Sequence, residues 1–134
     1  MPVHFLRCAA LVLALALANA TLRAADNWPQ FRGPQGNGIS DAKTLPLTWS
    51  ETNHVVWKTA IHGRSWSSPV VWGNQVWVTT ANDDGTELFA VCIARDTGKI
   101  THDLKLFTLT KQTDIRKFNT YASPTPVQIG RAHV

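Results

Sequence analysis

The sequence predicts an all-β fold built from a repeated unit of short antiparallel strands. From residue 55 onward, β-branched and aromatic segments alternate with turns that contain Gly, Asn and Asp. The segment at residues 66–71 returns in a looser form at residues 121–127, with Pro69 and Pro124 55 residues apart. A recurrence at such a period is typical of repeat proteins, in which each copy is one supersecondary unit. We therefore expect the 134 residues to hold little more than one copy of a larger array.

Residues 1–20 predict a secretory signal peptide. Residues 8–18 are an unbroken apolar run, and Ala18 and Ala20 are small residues at the positions that a signal peptidase reads. The run is too short to span a bilayer, whose hydrocarbon core needs about 20 residues. A buried N-terminal helix is the alternative, but the run lacks a polar face. We therefore expect an exported protein, periplasmic or extracellular, with no membrane span after cleavage.

Cysteine content and charge argue against a disulfide-rich protein and against a nucleic-acid-binding protein. Cleavage after residue 20 leaves Cys92 as a single cysteine, so the sequence predicts no disulfide framework and a buried, inert thiol. The formal net charge is +4, and no basic cluster is larger than Arg116 and Lys117. Scattered basic residues of this kind do not favour a nucleic-acid partner.

Residues 21–54 predict an extended N-terminal arm, because Gly and Pro interrupt them and few apolar positions recur. Gly33, Gly36 and Gly38 superficially resemble a phosphate-binding loop. No strand is predicted before them and no Lys-Ser or Lys-Thr pair follows, so we interpret them as turn residues of the arm.

The β-rich part of the sequence begins at residue 55. Its first segment, residues 55–60, is β-branched and aromatic and is predicted to be a strand. Four further strands are predicted at residues 68–72, 75–81, 87–93 and 100–106.

Short turns connect these four strands. Gly73 and Asn74 form a two-residue loop of the kind that permits the positive φ angles of a tight hairpin. Residues 82–85 and 96–99 carry the Asp and Gly that the other two turns require. The expected product is a four-stranded antiparallel meander, after which Tyr121 begins the next copy.

A four-stranded meander followed by a recurrence of its first strand is the unit of a β-propeller, in which sheets stack radially around a channel. Residues 55–127 are therefore predicted to form the first blade and the start of the second blade of an all-β propeller. A β-sandwich is the alternative, but it does not require the recurrence at residue 121.

Several segments fall in register with one known family. Residues 68–78, 87–91 and 96–99 resemble a blade that reads Ser-x-Pro-x-Val, a Gly turn, Val-aromatic-Val, Leu-x-Ala-Leu-Asp and Thr-Gly-Lys. This blade belongs to the pyrroloquinoline-quinone-like (PQQ-like) repeat propellers. Residues 27–34 also resemble the start of exported members. The family's tryptophan after Thr-Gly-Lys is replaced near Thr101 and His102.

The resemblance implies two kinds of function. Some members are quinone-dependent alcohol or sugar dehydrogenases, and others, including the assembly factor of bacterial outer-membrane barrels, are interaction platforms without a cofactor. A dehydrogenase needs PQQ and calcium held by ligands from many blades, which one blade cannot supply. We therefore expect a binding or scaffold module with protein partners at its propeller faces. The alternative is a piece of a dehydrogenase whose site lies in other blades.

No catalytic or metal-binding residue is predicted in this chain, and cofactor-binding residues remain open. The single carboxylates are interpreted as solvated surface charges: Glu51, Glu87 and Asp103. Three histidines show no metal-ligand spacing and are expected to be exposed or hydrogen-bonded: His54, His62 and His102. Three serines have no nucleophile elbow around them: Ser65, Ser67 and Ser68.

Most of the six tryptophans are expected to pack between sheets or to pin the arm onto the first blade: Trp28, Trp49, Trp57, Trp66, Trp72 and Trp77. An alternative role for Trp66 is to line a ligand channel.

Residues 128–134 depart from the strand that the family resemblance leads us to expect after Val127. They resemble the translation of a common sequencing-adapter end, and we hypothesise a truncated gene with a non-native tail. Reading the DNA after codon 127 decides this. Because the predicted sheet has two apolar faces and no sister blade, we also expect the chain alone to be marginally stable or prone to aggregation.

Overall fold

The computed structural model describes residues 27–112 and 114–130. Its regular structure is one four-stranded antiparallel sheet in the order β1-β2-β3-β4, and no helix occurs among the described residues. The strands are β1 (Val70–Trp72), β2 (Gln75–Ala81), β3 (Glu87–Ala94) and β4 (Ile100–Thr108). The predicted meander is confirmed. The predicted signal peptide lies outside the described residues.

The turns form where the sequence places glycine. Gly73 opens the two-residue loop between Trp72 and Gln75 with a φ of 57°, and Gly85 has a φ of 71° in the turn between β2 and β3. In the second turn the Asp84 carboxylate accepts hydrogen bonds from the Thr86 hydroxyl at 2.6 Å and the Thr86 N–H at 3.0 Å. These local bonds fix the turn, as the Asp and Gly content predicts.

The segment at residues 55–60 is not a strand, and this correction has a structural reason. Instead of pairing with a sheet edge, the segment crosses one face of the sheet. The Trp57 indole N–H donates to the Arg95 carbonyl at 2.8 Å, and the Thr59 hydroxyl donates to the Gly98 carbonyl. Its side chains thus bond to the turn between β3 and β4, and backbone pairing with the sheet appears only at Arg64, opposite Ala81.

The second copy of the repeated motif lies beside the first. The Trp66 N–H donates to the Ala122 carbonyl at 3.2 Å, and the Ser68 N–H donates to the Thr125 hydroxyl at 3.0 Å. The Thr79 hydroxyl of β2 donates to the Pro124 carbonyl at 3.1 Å. The segment at residues 121–128 therefore rests on the β1–β2 half of the sheet, on the face opposite residues 57–64.

The N-terminal arm is joined to the outer edge of β1. Trp28 and Val71 exchange two backbone hydrogen bonds of 2.8 Å, and the Asn27 side-chain oxygen accepts the Gly73 N–H at 2.8 Å. Between residues 27 and 54 only isolated bridges occur, without a regular strand. At the other end, the Gln128 N–H donates to the Pro29 carbonyl at 2.8 Å, so the arm also meets the segment after the second copy.

The buried core is small. Its apolar members come mostly from β2 and β3: Val70, Ala81, Val91, Cys92, Ile93 and Ala122. Cys92 is a free thiol that is fully buried, as predicted. Thr80 is also buried, and its hydroxyl donates to the His62 carbonyl at 2.6 Å, which ties the crossing segment to the sheet.

The tryptophans divide into two groups. Four are half-buried, as packing predicts: Trp28, Trp57, Trp72 and Trp77. Trp49 and Trp66 are 73% and 62% exposed and are the two that do not pack. The arm pairs with β1 through the backbone of Trp28.

Because the second copy packs on the β2–β3 turn, we expect substitution of Gly85 to destabilise the fold more than substitution of Gly73. A Cβ at position 85 would collide with the Tyr121 ring, whereas a Cβ at position 73 meets nothing within 4 Å. Both residues have positive φ, so Gly73→Ala is a matched control for backbone strain. We expect Gly85→Ala to lower the free energy of unfolding by about 1 to 3 kcal/mol more than Gly73→Ala. Urea titrations measure this, and equal losses would contradict the docking of Tyr121.

The Thr86 hydroxyl, followed by the Thr86 backbone N–H, lowers the pKa of Asp84 below its ordinary value. A lowered folded pKa means that the ionised Asp84 supports the turn above the pKa of the unfolded chain, and this support is lost as pH falls through the folded pKa. We expect Thr86→Val to raise the pKa of Asp84 towards its ordinary value and Thr86→Ser to leave it low. NMR titration of the Asp84 carboxyl measures both, and an unchanged pKa in Thr86→Val would refute the hydroxyl's role.

Candidate functional site

The outer strand β4 is the most exposed regular element of the described chain. All nine of its residues are exposed, although the strand is rich in apolar side chains. Its large apolar residues, called here the β4 patch, are Ile100, Leu104, Leu106 and Phe107, between 43% and 60% exposed. Apolar side chains in a strand normally cover a core, so the patch is the first candidate for a contact surface.

The strand register assigns each β4 side chain to a face of the sheet. Leu104 pairs with Ala90 and Phe107 pairs with Leu88, while Leu106 lies at a β-bulge between them. Directly opposite residues point to the same face. Leu104 and Phe107 therefore share one face with Leu88 and Ala90, which we call the patch face.

Two aromatic side chains extend the patch face towards β2. Cys92 pairs with Trp77 on one side and with His102 on the other. The His102 and Trp77 rings stack across Cys92 with centroids 5.9 Å apart and an interplanar angle of 20°. His102 is thus held against an aromatic ring.

The chain covers only half of the patch face. The second copy lies over β1 and β2, where a cavity of about 190 Å³ separates Pro126 and Val127 from Trp77 and Thr79. Leu104 and Phe107 lie beyond this cover, on the β3–β4 side of the sheet. The described chain therefore leaves the β3–β4 half of this face open to a further layer.

The opposite face carries ion pairs. His62 Nε2 lies 3.0 Å from the Asp103 carboxylate, and its ring meets Phe89 edge-on with centroids 4.7 Å apart. The Lys105 ammonium lies 2.8 Å from the Glu87 carboxylate. These groups are partly exposed, so solvent screens both pairs and each adds little to stability.

A polar cleft of about 440 Å³ opens beside His62. Arg64 and Asp83 form an ion pair of 2.9 Å at its rim, and Asn82, Glu87 and Phe89 complete the lining. The described residues contain no group of three or more His, Cys, Asp and Glu side chains that could hold a metal ion. The cleft offers charged and hydrogen-bonding groups that a polar segment of a partner can contact.

Of the three carboxylates interpreted as surface charges, Glu51 and Asp103 are exposed and Glu87 is half-buried, and each has a cationic or imidazole partner that the sequence does not indicate. Glu51 lies 2.9 Å from Lys58, in addition to the pairs of Glu87 and Asp103. The partners of Glu87 and Asp103 are 18 and 41 residues away in sequence. The crossing segment at residues 57–64 carries His62 to Asp103, and the pairing of β3 with β4 brings Lys105 near Glu87, so no local pattern marks these contacts.

The three serines have hydrogen-bonding roles in the loop before β1. The Ser65 and Ser67 hydroxyls lie 3.0 Å apart, and the Ser67 hydroxyl donates to the Thr79 carbonyl at 3.3 Å. Ser68 contributes the N–H that binds Thr125. The structure thus brings these serines to the contact between the two copies.

The remaining candidates lie in the arm. His54 is exposed with a φ of 63°, and Gly33, Gly36 and Gly38 all have positive φ. The Gly36 N–H donates to the Gly33 carbonyl at 3.0 Å and the Gly38 N–H to the Arg32 carbonyl at 2.8 Å. These glycines form backbone turns, as interpreted from the sequence.

No family model matches the sequence, and no curated protein or solved structure matches it. Over residues 27–112 and 114–130, no helix has the length and apolar character that crossing a membrane requires.

The β4 patch predicts a measurable affinity for apolar dyes. We expect Phe107→Lys to reduce the fluorescence of a bound apolar dye, because Phe107 is the most exposed member of the patch at 60%. Thr108→Lys is the matched control, since it adds the same charge at the next exposed position of β4. Equal dye fluorescence in the two variants would show that the dye binds elsewhere.

Proposed function

We propose that this chain is part of an exported PQQ-like β-propeller repeat protein that acts as a binding or scaffold module. The open β4 patch is the observation that carries the proposal. Leu104 and Phe107 are exposed on one face of the strand and are suited to contact with another protein layer, either a sister blade or a partner.

The contact between the two copies supports a repeat architecture. Trp66 of the first copy donates its N–H to Ala122 of the second, and Ser68 donates to Thr125. Equivalent positions of successive repeats are expected to be neighbours when units stack around an axis, because each repeat contacts the next. The observed contacts lie close to this relation: each first-copy residue is bonded to a residue 56 or 57 positions later, one or two positions beyond the 55-residue period.

The distribution of burial supports a binding role. A terminal repeat needs a neighbour or a cap for its outer face. In the described chain, residues 57–64 cover one face and residues 121–128 cover half of the other. The uncovered half is the face that a further blade or a protein partner would bury, and burial of Leu104 and Phe107 would be favourable.

The complete gene product tests the proposed role against the dehydrogenase alternative. We expect no dye reduction when that protein is supplied with PQQ, calcium and a panel of alcohols and sugars. We also expect the amides of β4 to exchange more slowly in the complete protein than in the 134-residue chain, because a further layer covers the strand there. Quinone-dependent dye reduction would refute the scaffold role, and unchanged exchange in β4 would refute the covering layer.

A further inference from the structure

We propose that the outer edge of β4 pairs antiparallel with β4 of a second copy of this chain, centred on Leu104. This surface is the edge of the sheet and is separate from the faces considered for blade or partner contact. β4 has β3 as its one hydrogen-bonded neighbour in the described chain, so its other edge meets no described strand. An unpaired edge of nine residues is a template for another strand.

The charges on β4 indicate that the strand pairing with its edge is β4 of a second, identical chain. Asp103 and Lys105 flank Leu104 and lie two residues apart, so they point to the same face of the sheet. When two identical strands pair about a two-fold axis at Leu104, each Asp103 lies opposite Lys105 of the second chain. Two opposite-charge pairs form at once, which stabilises directly opposed positions of an antiparallel pair.

The other registers centred within residues 102–105 lack this complementarity. A centre at Asp103 places two carboxylates opposite each other, and a centre at Lys105 places two ammonium groups opposite each other. A centre at His102 places each Asp103 opposite Thr101 of the second chain, so it forms no opposite-charge pair there. Like charges at directly opposite positions are destabilising, so the charges select Leu104.

The bulges set the length of the pairing. Shifts in the β3–β4 register leave Thr101 and Leu106 as extra residues on β4, so the regular run between them is residues 102–105. Bulges and charges commonly protect edges from indiscriminate association. Here the charges are self-complementary within the regular run, which permits one short and specific register.

The intramolecular partners of these charges remain compatible with the pairing. Lys105 binds Glu87 through one oxygen at 2.8 Å, and an ammonium group has three donors. Asp103 has both carboxylate oxygens 3.0 Å from His62 Nε2, and each oxygen has further acceptor capacity. The ion pairs also hold the Asp103 and Lys105 side chains on the face where the second chain would contact them.

Charge reversal with a compensating swap tests the proposal in the full chain. Sedimentation equilibrium should show reversible dimers, and Lys105→Glu or Asp103→Lys should each weaken the dimer roughly tenfold or more. The double variant Asp103→Lys, Lys105→Asp should restore association. It loses the same contacts to His62 and Glu87 as the single variants, so restoration cannot come from the intramolecular pairs.

Lys58→Glu is the matched control. It changes the net charge by the same amount as Lys105→Glu and removes an exposed ion pair away from β4, so it should leave association unchanged. Circular dichroism checks that each variant keeps its strand content. A native chain that stays monomeric would overturn the proposal. So would a double variant that dimerises as weakly as the single variants, or a dimer whose affinity none of the charge reversals changes.

A cysteine placed on the two-fold axis tests the register. Under oxidation, Leu104→Cys should form a disulfide-linked dimer faster than Leu106→Cys, because position 104 lies opposite itself and position 106 does not. The parent chain controls for Cys8 and the buried Cys92. Equal rates for the two variants would overturn the centre at Leu104.

Discussion

The rest of the structure depends on how a single four-stranded sheet is covered on its two faces. A lone sheet of this size cannot bury its own apolar side chains, so every buried residue here owes its burial to a segment that lies across the sheet. Residues 57–64 cover one face, and Thr80 fixes that segment through a 2.6 Å hydrogen bond to His62. Residues 121–128 cover part of the other face. The central residues of β3 are buried on both faces: Val91 and Ile93 lie on the face of residues 57–64, and Cys92 lies between the stacked Trp77 and His102 side chains.

The same constraint explains why β4 is exposed whereas the centre of β3 is buried, although both strands carry apolar side chains. β3 has a neighbour on each side, whereas β4 has one neighbour and no described segment bonded to its outer edge. Its side chains therefore divide by face into an apolar set, with Leu104 and Phe107, and a charged set, with Asp103 and Lys105. The first set fits a covering layer and the second fits a specific edge contact. Two kinds of contact can thus coexist on one strand.

Local pattern predicts the four strands well, because period-two apolar residues and glycine turns at Gly73 and Gly85 act within a few positions of one another. It fails at residues 55–60, whose composition suits a strand but whose Trp57 and Thr59 side chains bond to a distant turn. It also misses the contact of His62 with Asp103, because that contact forms where the crossing segment at residues 57–64 passes over the sheet. The exposure of the β4 patch likewise depends on which distant segments pack over the sheet. A local sequence pattern does not contain this information.

Thermal unfolding of the chain alone, followed by circular dichroism with light scattering on the same sample, tests the central claim most directly. If the sheet is built to be covered by further layers, the transition will be broad and incompletely reversible, and the sample will associate through its open surfaces. A sharp, reversible transition of a monodisperse monomer would contradict the claim, because it would show that the short covering segments suffice to stabilise the sheet.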